Sequence, residues 1–275
     1  MDWDPNFLHR SPMLESLRAH APAFGGGWPE IDELQRFLDR QEPGVCNAAG
    51  MPLRLVVQGR RPGRLEERYE ARVFLKAELQ VRERNWHDLF NVLAWAAFPR
   101  AKAALNTRHY AALQAQQAAG LRNRGAAQDA LTLFDEGGVI VASSDDVLAD
   151  RLSGWRWKEL FWTRRPQLLA RMRFLLFGHA LGEKALRPFR GITGRGIVLD
   201  VEPSLLEVPL RDRLSLLDAM LAERLSDPAV LSGTRALAVV PVLGVPGWCA
   251  ENERESYYDD TDYFRPGRLP KNRGS

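Results

Sequence analysis

Hydrophobic and polar residues alternate in two short runs in the first third of the chain. Residues 52–58 and residues 69–74 place apolar side chains at about every second position, which is the period of a half-buried β-strand. Pro62 and Gly63 lie between the two runs and are typical of a turn. The pattern therefore predicts two paired strands that form a β-hairpin.

A helical period follows in several longer segments. Residues 29–40, 85–98, 99–117 and 210–225 are predicted to be helices. Asn85 is a suitable N-cap with Asp88 three residues later, in the manner of a capping box. Pro99 disfavours a helical residue before it but suits the first turn of a new helix, so we expect a bend between the second and third of these segments.

The remaining pattern mixes strands and helices. Residues 131–134 and 139–142 are apolar and flank the sequence Asp-Glu-Gly-Gly at 135–138, which predicts a second tight hairpin. A long helix is predicted from Pro166, with an apolar stripe that contains Leu168, Met172, Leu175 and Leu176 and continues to His179. Strands are expected at residues 196–201 and 236–243.

Helices and strands in mixed order, without a regular βαβ alternation, predict an α+β fold. We expect a mostly helical protein with two β-hairpins and further strands in a small mixed sheet. No linker-like stretch divides the interior of the sequence, so one domain is predicted over residues 1–265. Residues 266–275 are polar and rich in Pro, Gly and Arg, and they are predicted to be a disordered tail.

Composition narrows the class of partner. The 275 residues are 45% hydrophobic and 27% charged, with a formal net charge of only +3. Acidic and basic residues are interspersed, so we do not expect a nucleic-acid partner. The apolar stretch 236–250 contains two prolines and is too short to span a membrane. The start of the chain lacks the pattern of a secretory signal, and the two cysteines form no paired motif, which predicts a cytoplasmic protein with reduced thiols.

The first candidate site lies at the start of the helix predicted from Asn85. His87 and Asn91 are one helical turn apart and share a face, with Asp88 beside them. Buried polar groups need partners, because each one left unpaired costs about 1–3 kcal/mol. These residues therefore indicate either a polar site or a structural network in which Asp88 caps the helix.

The second candidate site follows the bend at Pro99. Lys102, Asn106 and His109 recur at spacings of four and three residues, which places a cation, an amide and an imidazole on one stripe of the helix. The rest of this helix is rich in alanine and leucine, so the polar stripe is narrow. A solvated helix face is the alternative interpretation.

His179 and Glu183 form the third candidate site. They are one turn apart and are expected to point inward, where buried charge requires a partner. With His87 they suggest ligands of a divalent metal ion, or a general base and its orienting carboxylate. A structural pair that joins two helices is equally compatible with the spacing. Asp135 and Glu136 lie at the predicted hairpin tip and become candidates only if that tip faces the histidines.

Five short motifs resemble an uncharacterised bacterial protein family known only as a domain of unknown function. The motifs are residues 85–91 (Asn-Trp-His-Asp-Leu-Phe-Asn), Phe98-Pro99 with Lys102 and Asn106, residues 131–136, residues 178–181 (Gly-His-Ala-Leu) and residues 245–248 (Val-Pro-Gly-Trp). The resemblance implies one family-wide domain of bacterial cytoplasmic origin. It implies no activity, cofactor or catalytic residue.

The leading hypothesis is a single polar pocket where the three candidate sites meet and where acid–base or metal-assisted hydrolysis of a small molecule takes place. The histidines would be bases or ligands, the carboxylates of Asp88 and Glu183 would orient or ligate, Asn91 and Asn106 would fix the substrate, and Lys102 would stabilise an anion. The hypothesis requires His87 or His109 to lie within about 8 Å of His179, so that one small ligand or ion can bridge them.

The alternative hypothesis is a non-catalytic module that binds a ligand or a protein and whose polar motif residues are structural. It would use exposed tryptophans on one face, because soluble monomers rarely expose large apolar patches for any other reason. The candidates are Trp86, Trp95, Trp155, Trp157, Trp162 and Trp248. The sequence leaves the oligomeric state open.

Overall fold

A computed structural model of the chain describes residues 2–59, 63–121 and 123–266. The α-helices of these residues are α1 Glu15–Arg18, α2 Ile31–Asp39, α3 Tyr69–Lys76, α4 Trp86–Ala97, α5 Pro99–Ala118, α6 Ala126–Gly137, α7 Asp146–Ser153, α8 Arg165–Arg171, α9 His179–Ala185 and α10 Leu210–Ser226. The strands are β1 Arg54–Val57, β2 Glu78–Val81, β3 Gly138–Ser143, β4 Met172–Leu176, β5 Thr193–Asp200 and β6 Ala238–Pro241.

The strands of the described residues form two sheets. One contains β1 and β2 in parallel, and the other has the order β4-β3-β5-β6, with β3 parallel to β5 and antiparallel to β4. This mostly helical structure with a small mixed sheet confirms the predicted α+β class. Neither predicted hairpin is present among the described residues, and Pro62 of the first predicted turn lies outside them.

The first predicted hairpin is wrong because residues 69–74 belong to helix α3. Strand β1 pairs in parallel with β2, with Arg54 opposite Glu78, and parallel strands require a crossover rather than a tight turn. Helix α3 is part of that crossover. It ends at Lys76, and the next residue, Ala77, has a left-handed φ of +52° that turns the chain into β2. A six-residue run is too short for its hydrophobic period to separate strand from helix.

The second predicted hairpin is wrong because residues 131–134 lie within helix α6, and the predicted turn is the last turn of α6 followed by the first residue of β3. Strand β3 is buried at all six positions and lies at the centre of its sheet between β4 and β5. Asp135 therefore sits near the C-terminal end of a helix, not at a hairpin tip.

The long helix predicted from Pro166 is interrupted. Helix α8 ends at Arg171, and Met172 to Leu176 form strand β4, which pairs with Ser143 to Val139 of β3. The buried backbone of β3 needs hydrogen-bond partners on both edges, and this tertiary demand overrides the helical spacing of the apolar residues. His179 consequently begins a new helix, α9, instead of continuing an old one.

The longer helices agree with prediction. Helices α2, α4, α5 and α10 coincide with the predicted segments to within about two residues, as is usual for helix ends. The side chain of Asn85 caps α4 by accepting a hydrogen bond from the backbone N–H of Asp88 at 3.0 Å. The predicted strands near residues 196 and 236 correspond to β5 and β6, and β6 is the shorter of the two.

One cluster of buried hydrophobic residues extends along the chain from Phe7 to Phe264, and the single domain over residues 1–265 stays a prediction. The predicted tail lies outside the described residues apart from Pro266. No helix in the described part of the chain has the length and hydrophobicity required to cross a membrane.

Candidate functional site

A cleft of about 1290 Å³ opens where helices α3, α4, α5, α6 and α9 meet. Its wall is largely polar and includes the side chains of Tyr69, His87, Asn91, Asp135 and His179. All five come from different turns of four helices, so the cleft exists only in the folded chain. Its volume exceeds the usual range of about 300–1,000 Å³ for small-molecule sites, so a small molecule would occupy only part of the cleft.

Two of the predicted histidines meet in this wall. Nε2 of His179, at the start of α9, lies 3.0 Å from Nε2 of His87 on α4, and the ring centroids are 4.4 Å apart. The two imidazoles are therefore within the distance of about 8 Å that the sequence hypothesis requires. His179 is buried, whereas the side chain of His87 retains 36% of its exposure, so His87 is the member of the pair that a ligand reaches.

A carboxylate faces the other nitrogen of each imidazole. Oδ2 of Asp135 is 3.6 Å from Nδ1 of His179, and Oε2 of Glu183 is 3.4 Å from Nδ1 of His87. The four side chains thus form a row in the order Asp135, His179, His87, Glu183. Neither contact is a hydrogen bond, and Nδ1 of His179 has no hydrogen-bond partner among the described residues. Each carboxylate therefore acts on its imidazole through its negative charge, which stabilises the protonated ring, so the row can hold or move protons.

Gly178 allows Asp135 to approach His179. A Cβ atom on Gly178, the residue before α9, would collide with the backbone of Gly138 and lie 2.5 Å from the carbonyl oxygen of Glu136. Only glycine permits the end of α6 and the start of α9 to cross this closely. The Gly-His pair noticed in the sequence is therefore part of the geometry of the site.

Lys102 connects the row to a second arm. Its ammonium group, which is almost completely buried, forms an ion pair with Oδ1 of Asp135 and donates to Oδ1 of Asn91 at 3.0 Å. The same cation lies 5.6 Å from the ring centroid of Trp95, where a cation–π interaction adds to its stabilisation. Asn91 donates in turn to the hydroxyl oxygen of Tyr69 at 2.6 Å.

The charges of this network are set by burial and by neighbouring groups. Burial alone would raise the pKa of Asp135, but Lys102, His179 and His109 oppose it and lower the pKa to about 2. Burial lowers the pKa of His179 to about 4, and Lys102 and His87 add to this effect while Asp135 opposes it. At neutral pH, Asp135 is therefore an anion and His179 is neutral.

The other predicted residues have different surroundings. Asp88 is bound by Arg82, with Nε to Oδ2 and Nη2 to Oδ1 each at 2.8 Å, so its carboxylate stabilises the start of α4. Asn106 donates to Oε2 of Glu70 at 2.6 Å and holds α3 against α5. His109 is buried in the cleft wall, and its Nε2 has no hydrogen-bond partner among the described residues.

The predicted metal ligands do not converge. Glu183 lies at Nδ1 of His87, whereas His179 lies at Nε2 on the opposite side of that ring. One ion at Nε2 of His87 would therefore be out of reach of the Glu183 carboxylate in this arrangement. Among the described residues, no group of three or more His, Cys, Asp or Glu side chains has the geometry of a metal site.

The six tryptophans proposed for a binding surface are not exposed. Three are buried and the other three are partly buried. Trp86 packs with its ring stacked on that of Trp3, with centroids 5.4 Å apart. This contact packs the N-terminal segment against α4 at Trp86, the residue that precedes His87.

Comparison with known proteins places the chain in a family. A family model described as "Protein of unknown function (DUF3025)" matches residues 53–268. The chain belongs to the DUF3025 family. No curated protein and no solved structure matches it. The matched region contains the whole row from His87 to Glu183 and both ends of the Lys102 network, whereas the segment with Trp3 precedes it.

Sequence reasoning did not assign two members of this site directly. Asp135 is only a conditional candidate in the sequence, because its helix was predicted to be a strand and a turn, and Tyr69 lies in the wrongly predicted first hairpin. The condition stated for Asp135, that it should face the histidines, is met. An acidic residue in an otherwise apolar helical segment, and a tyrosine at a helix start, were the available signals.

Proposed function

We propose that this DUF3025 protein is an acid–base hydrolase that acts on a small polar molecule in the cleft, with His87 as the general base. The observation that supports the proposal is the pair of facing imidazoles, each with a carboxylate at its other nitrogen, in the wall of a large polar cleft. We include the predicted cytoplasmic location in this proposal.

The tautomers follow from the charges around the pair. Anionic Asp135 faces Nδ1 of neutral His179 and favours the proton on that nitrogen. Nε2 of His179 then has a lone pair and accepts a hydrogen bond from Nε2–H of His87. In its neutral form, His87 then has its own lone pair on Nδ1, on the more exposed side of the pair next to Glu183.

This lone pair is the basic position of the site. A water molecule bound at Nδ1 of His87 transfers a proton to it as the water oxygen attacks the substrate, and the proton then passes to the leaving group. Protonated His87 has an N–H at both ring nitrogens. One points to His179 and the other to Glu183, so both neighbours stabilise the cation while the reaction proceeds.

Lys102 and Asp135 are positioning residues in this scheme. Lys102 neutralises Asp135 and holds it in place, and Asp135 determines the tautomer of His179. His179 acts on the reaction through His87. Asp88 and Asn106 hold the helices that carry the site, and the proposal gives them no chemical step.

The proposal is tested with His87→Gln and His179→Gln, and with His9→Gln as the matched control, because His9 is exposed and lies outside the cleft. Hydrolysis of 4-nitrophenyl acetate and bis(4-nitrophenyl) phosphate is followed by nitrophenolate release. We expect His87→Gln to lower kcat by about 10²–10⁴-fold, which is the usual contribution of a general base. Equal rates in the parent, His87→Gln and His9→Gln proteins would contradict the proposal.

A metal-assisted reaction remains a separate prediction of the sequence. Because Glu183 and His179 lie on opposite sides of the His87 ring, we expect prolonged dialysis against EDTA to leave the rate unchanged. A loss of activity that one divalent metal restores would show that the ligands rearrange around an ion. Saturable ligand binding without turnover would instead favour the non-catalytic module.

A further inference from the structure

The hydrogen-bond directions in the second arm of the network are determined by Lys102. An ammonium group only donates hydrogen bonds, so the atom of Asn91 that faces Lys102 is the carbonyl oxygen. The amide NH2 of Asn91 must then face Tyr69 and donate to its hydroxyl oxygen at 2.6 Å. The phenol of Tyr69 is therefore an acceptor in this contact, and its own proton is left over.

The remaining O–H of Tyr69 has no acceptor within hydrogen-bond distance among the described residues. Tyr69 is the first residue of α3 and lines the same cleft as His87. Burial, with Glu70 and Asp135 nearby, raises its pKa well above the usual value of 10. The side chain therefore stays a neutral phenol, which donates a hydrogen bond, throughout the physiological pH range.

The positions of Tyr69 and His87 are related through helix α4. Tyr69 contacts Asn91, which lies one turn after His87 on the same face. Four residues of an α-helix span about 6 Å, so the base and the phenol lie over adjacent turns. A small reacting group between them could receive a nucleophile from one side and a hydrogen bond from the other.

We propose that Tyr69 is a catalytic residue that donates its O–H to the carbonyl or phosphoryl oxygen of the substrate, and that the substrate is accordingly an ester or amide of a carboxylic or phosphoric acid. This inference rests on the proposed hydrolase function. The water oxygen forms a bond to the carbon or phosphorus atom and its proton goes to His87. The substrate oxygen gains negative charge, which the Tyr69 hydrogen bond stabilises. The bond to the leaving group then breaks as that group takes the proton from His87.

The direct test is Tyr69→Phe, which removes only the hydroxyl group. We expect kcat for one of the two nitrophenyl substrates to fall by about 10²–10³-fold, as when one oxyanion donor is removed, with KM changed little. Tyr110→Phe is the matched control, because Tyr110 stacks on Phe74 of the same helix α3 but does not line the cleft. It should retain the parent rate.

A second variant separates catalysis from packing. Replacement of Tyr69 by 3-fluorotyrosine keeps the ring and a more acidic hydroxyl, so it should restore much of the rate lost in Tyr69→Phe and displace the pH profile of kcat. Its 19F resonance should also shift when sodium acetate or inorganic phosphate is added. A shift with acetate alone identifies a carbonyl substrate, and a shift with phosphate alone identifies a phosphoryl substrate.

The outcomes distinguish the two proposals. If His87→Gln abolishes hydrolysis and Tyr69→Phe does not reduce it, the Tyr69 inference is overturned while the hydrolase proposal stands. If His87→Gln has no effect, the hydrolase proposal fails first. If neither ester is hydrolysed and the 19F resonance responds to neither anion, the role of Tyr69 as an oxygen-binding donor is refuted.

Discussion

The ion pair between Lys102 and Asp135 offers the sharpest test of how this site is built. Both charges are inside the protein, with side-chain exposures of 4% and 14%. Removing one partner leaves the other charge buried and unpaired, which costs about 3–5 kcal/mol. Removing both charges avoids this penalty, because replacement of a buried pair by uncharged groups is often close to neutral.

The experiment is a double-mutant cycle with Lys102→Met, Asp135→Asn and the double variant, measured by urea unfolding at pH 7. We expect each single change to lower the free energy of unfolding by about 3–5 kcal/mol. The double variant should be no less stable than the worse single variant, so the coupling energy should be at least about 3 kcal/mol. Lys102→Met also removes the hydrogen-bond donor to Asn91. This loss occurs in both the single and the double variant, so it cancels from the coupling energy of the ion pair.

The exposed pair between Asp4 and Arg10 is the matched control. Its atoms are 2.7 Å apart, but its side chains keep 28% and 37% of their exposure. The same cycle there should give a coupling close to zero and far below that of the buried pair, because solvent screens the two charges. If the losses for Lys102 and Asp135 add to within about 0.5 kcal/mol, the two charges are not coupled and Lys102 does not connect Asp135 to the second arm of the network.

Three further predictions concern stability. The pKa of His179 is about 4 in the folded protein and 6.5 ordinarily. The contribution of neutral His179 to the free energy of unfolding is therefore complete above pH 6.5 and falls by about 3 kcal/mol as the pH drops to 4. His179→Gln should remove this pH dependence from unfolding curves, and an unchanged dependence would contradict the prediction. Asp218 accepts hydrogen bonds from the backbone N–H groups of two residues at the start of α5. Asp218→Ala should therefore lower the free energy of unfolding by about 1–3 kcal/mol in urea, whereas Ser215→Ala on the exposed face of α10 should lower it by about 0.5 kcal/mol or less. Equal losses would argue against a stabilising role of these two hydrogen bonds. Gly178→Ala should lower the melting temperature and Gly25→Ala should not, since only the first new Cβ meets backbone atoms; a stable Gly178→Ala protein would show that the crossing can relax.

Local signals in the sequence determined the long helices. The Asn85 cap and Pro99 mark the start of α4 and the junction between α4 and α5, and both act through atoms a few residues away. The same locality made His87, Lys102 and His179 recognisable, because polar side chains in apolar helical segments must find partners wherever the helix lies. Their mutual approach still depended on how α4, α5 and α9 pack.

The tertiary structure alone decided the short elements and the composition of the site. The apolar spacing of three short runs fits a helix as well as a strand: residues 69–74, 131–134 and 172–176. Which structure forms depends on the backbone hydrogen bonds that β1 and β3 require, and their partner strands are distant in sequence. Asp135 and Tyr69 entered the site for the same reason: Asp135 through the close crossing at Gly178, and Tyr69 through its bond to Asn91. A sequence specifies which side chains need partners, but contacts between distant residues arise only when the chain has packed.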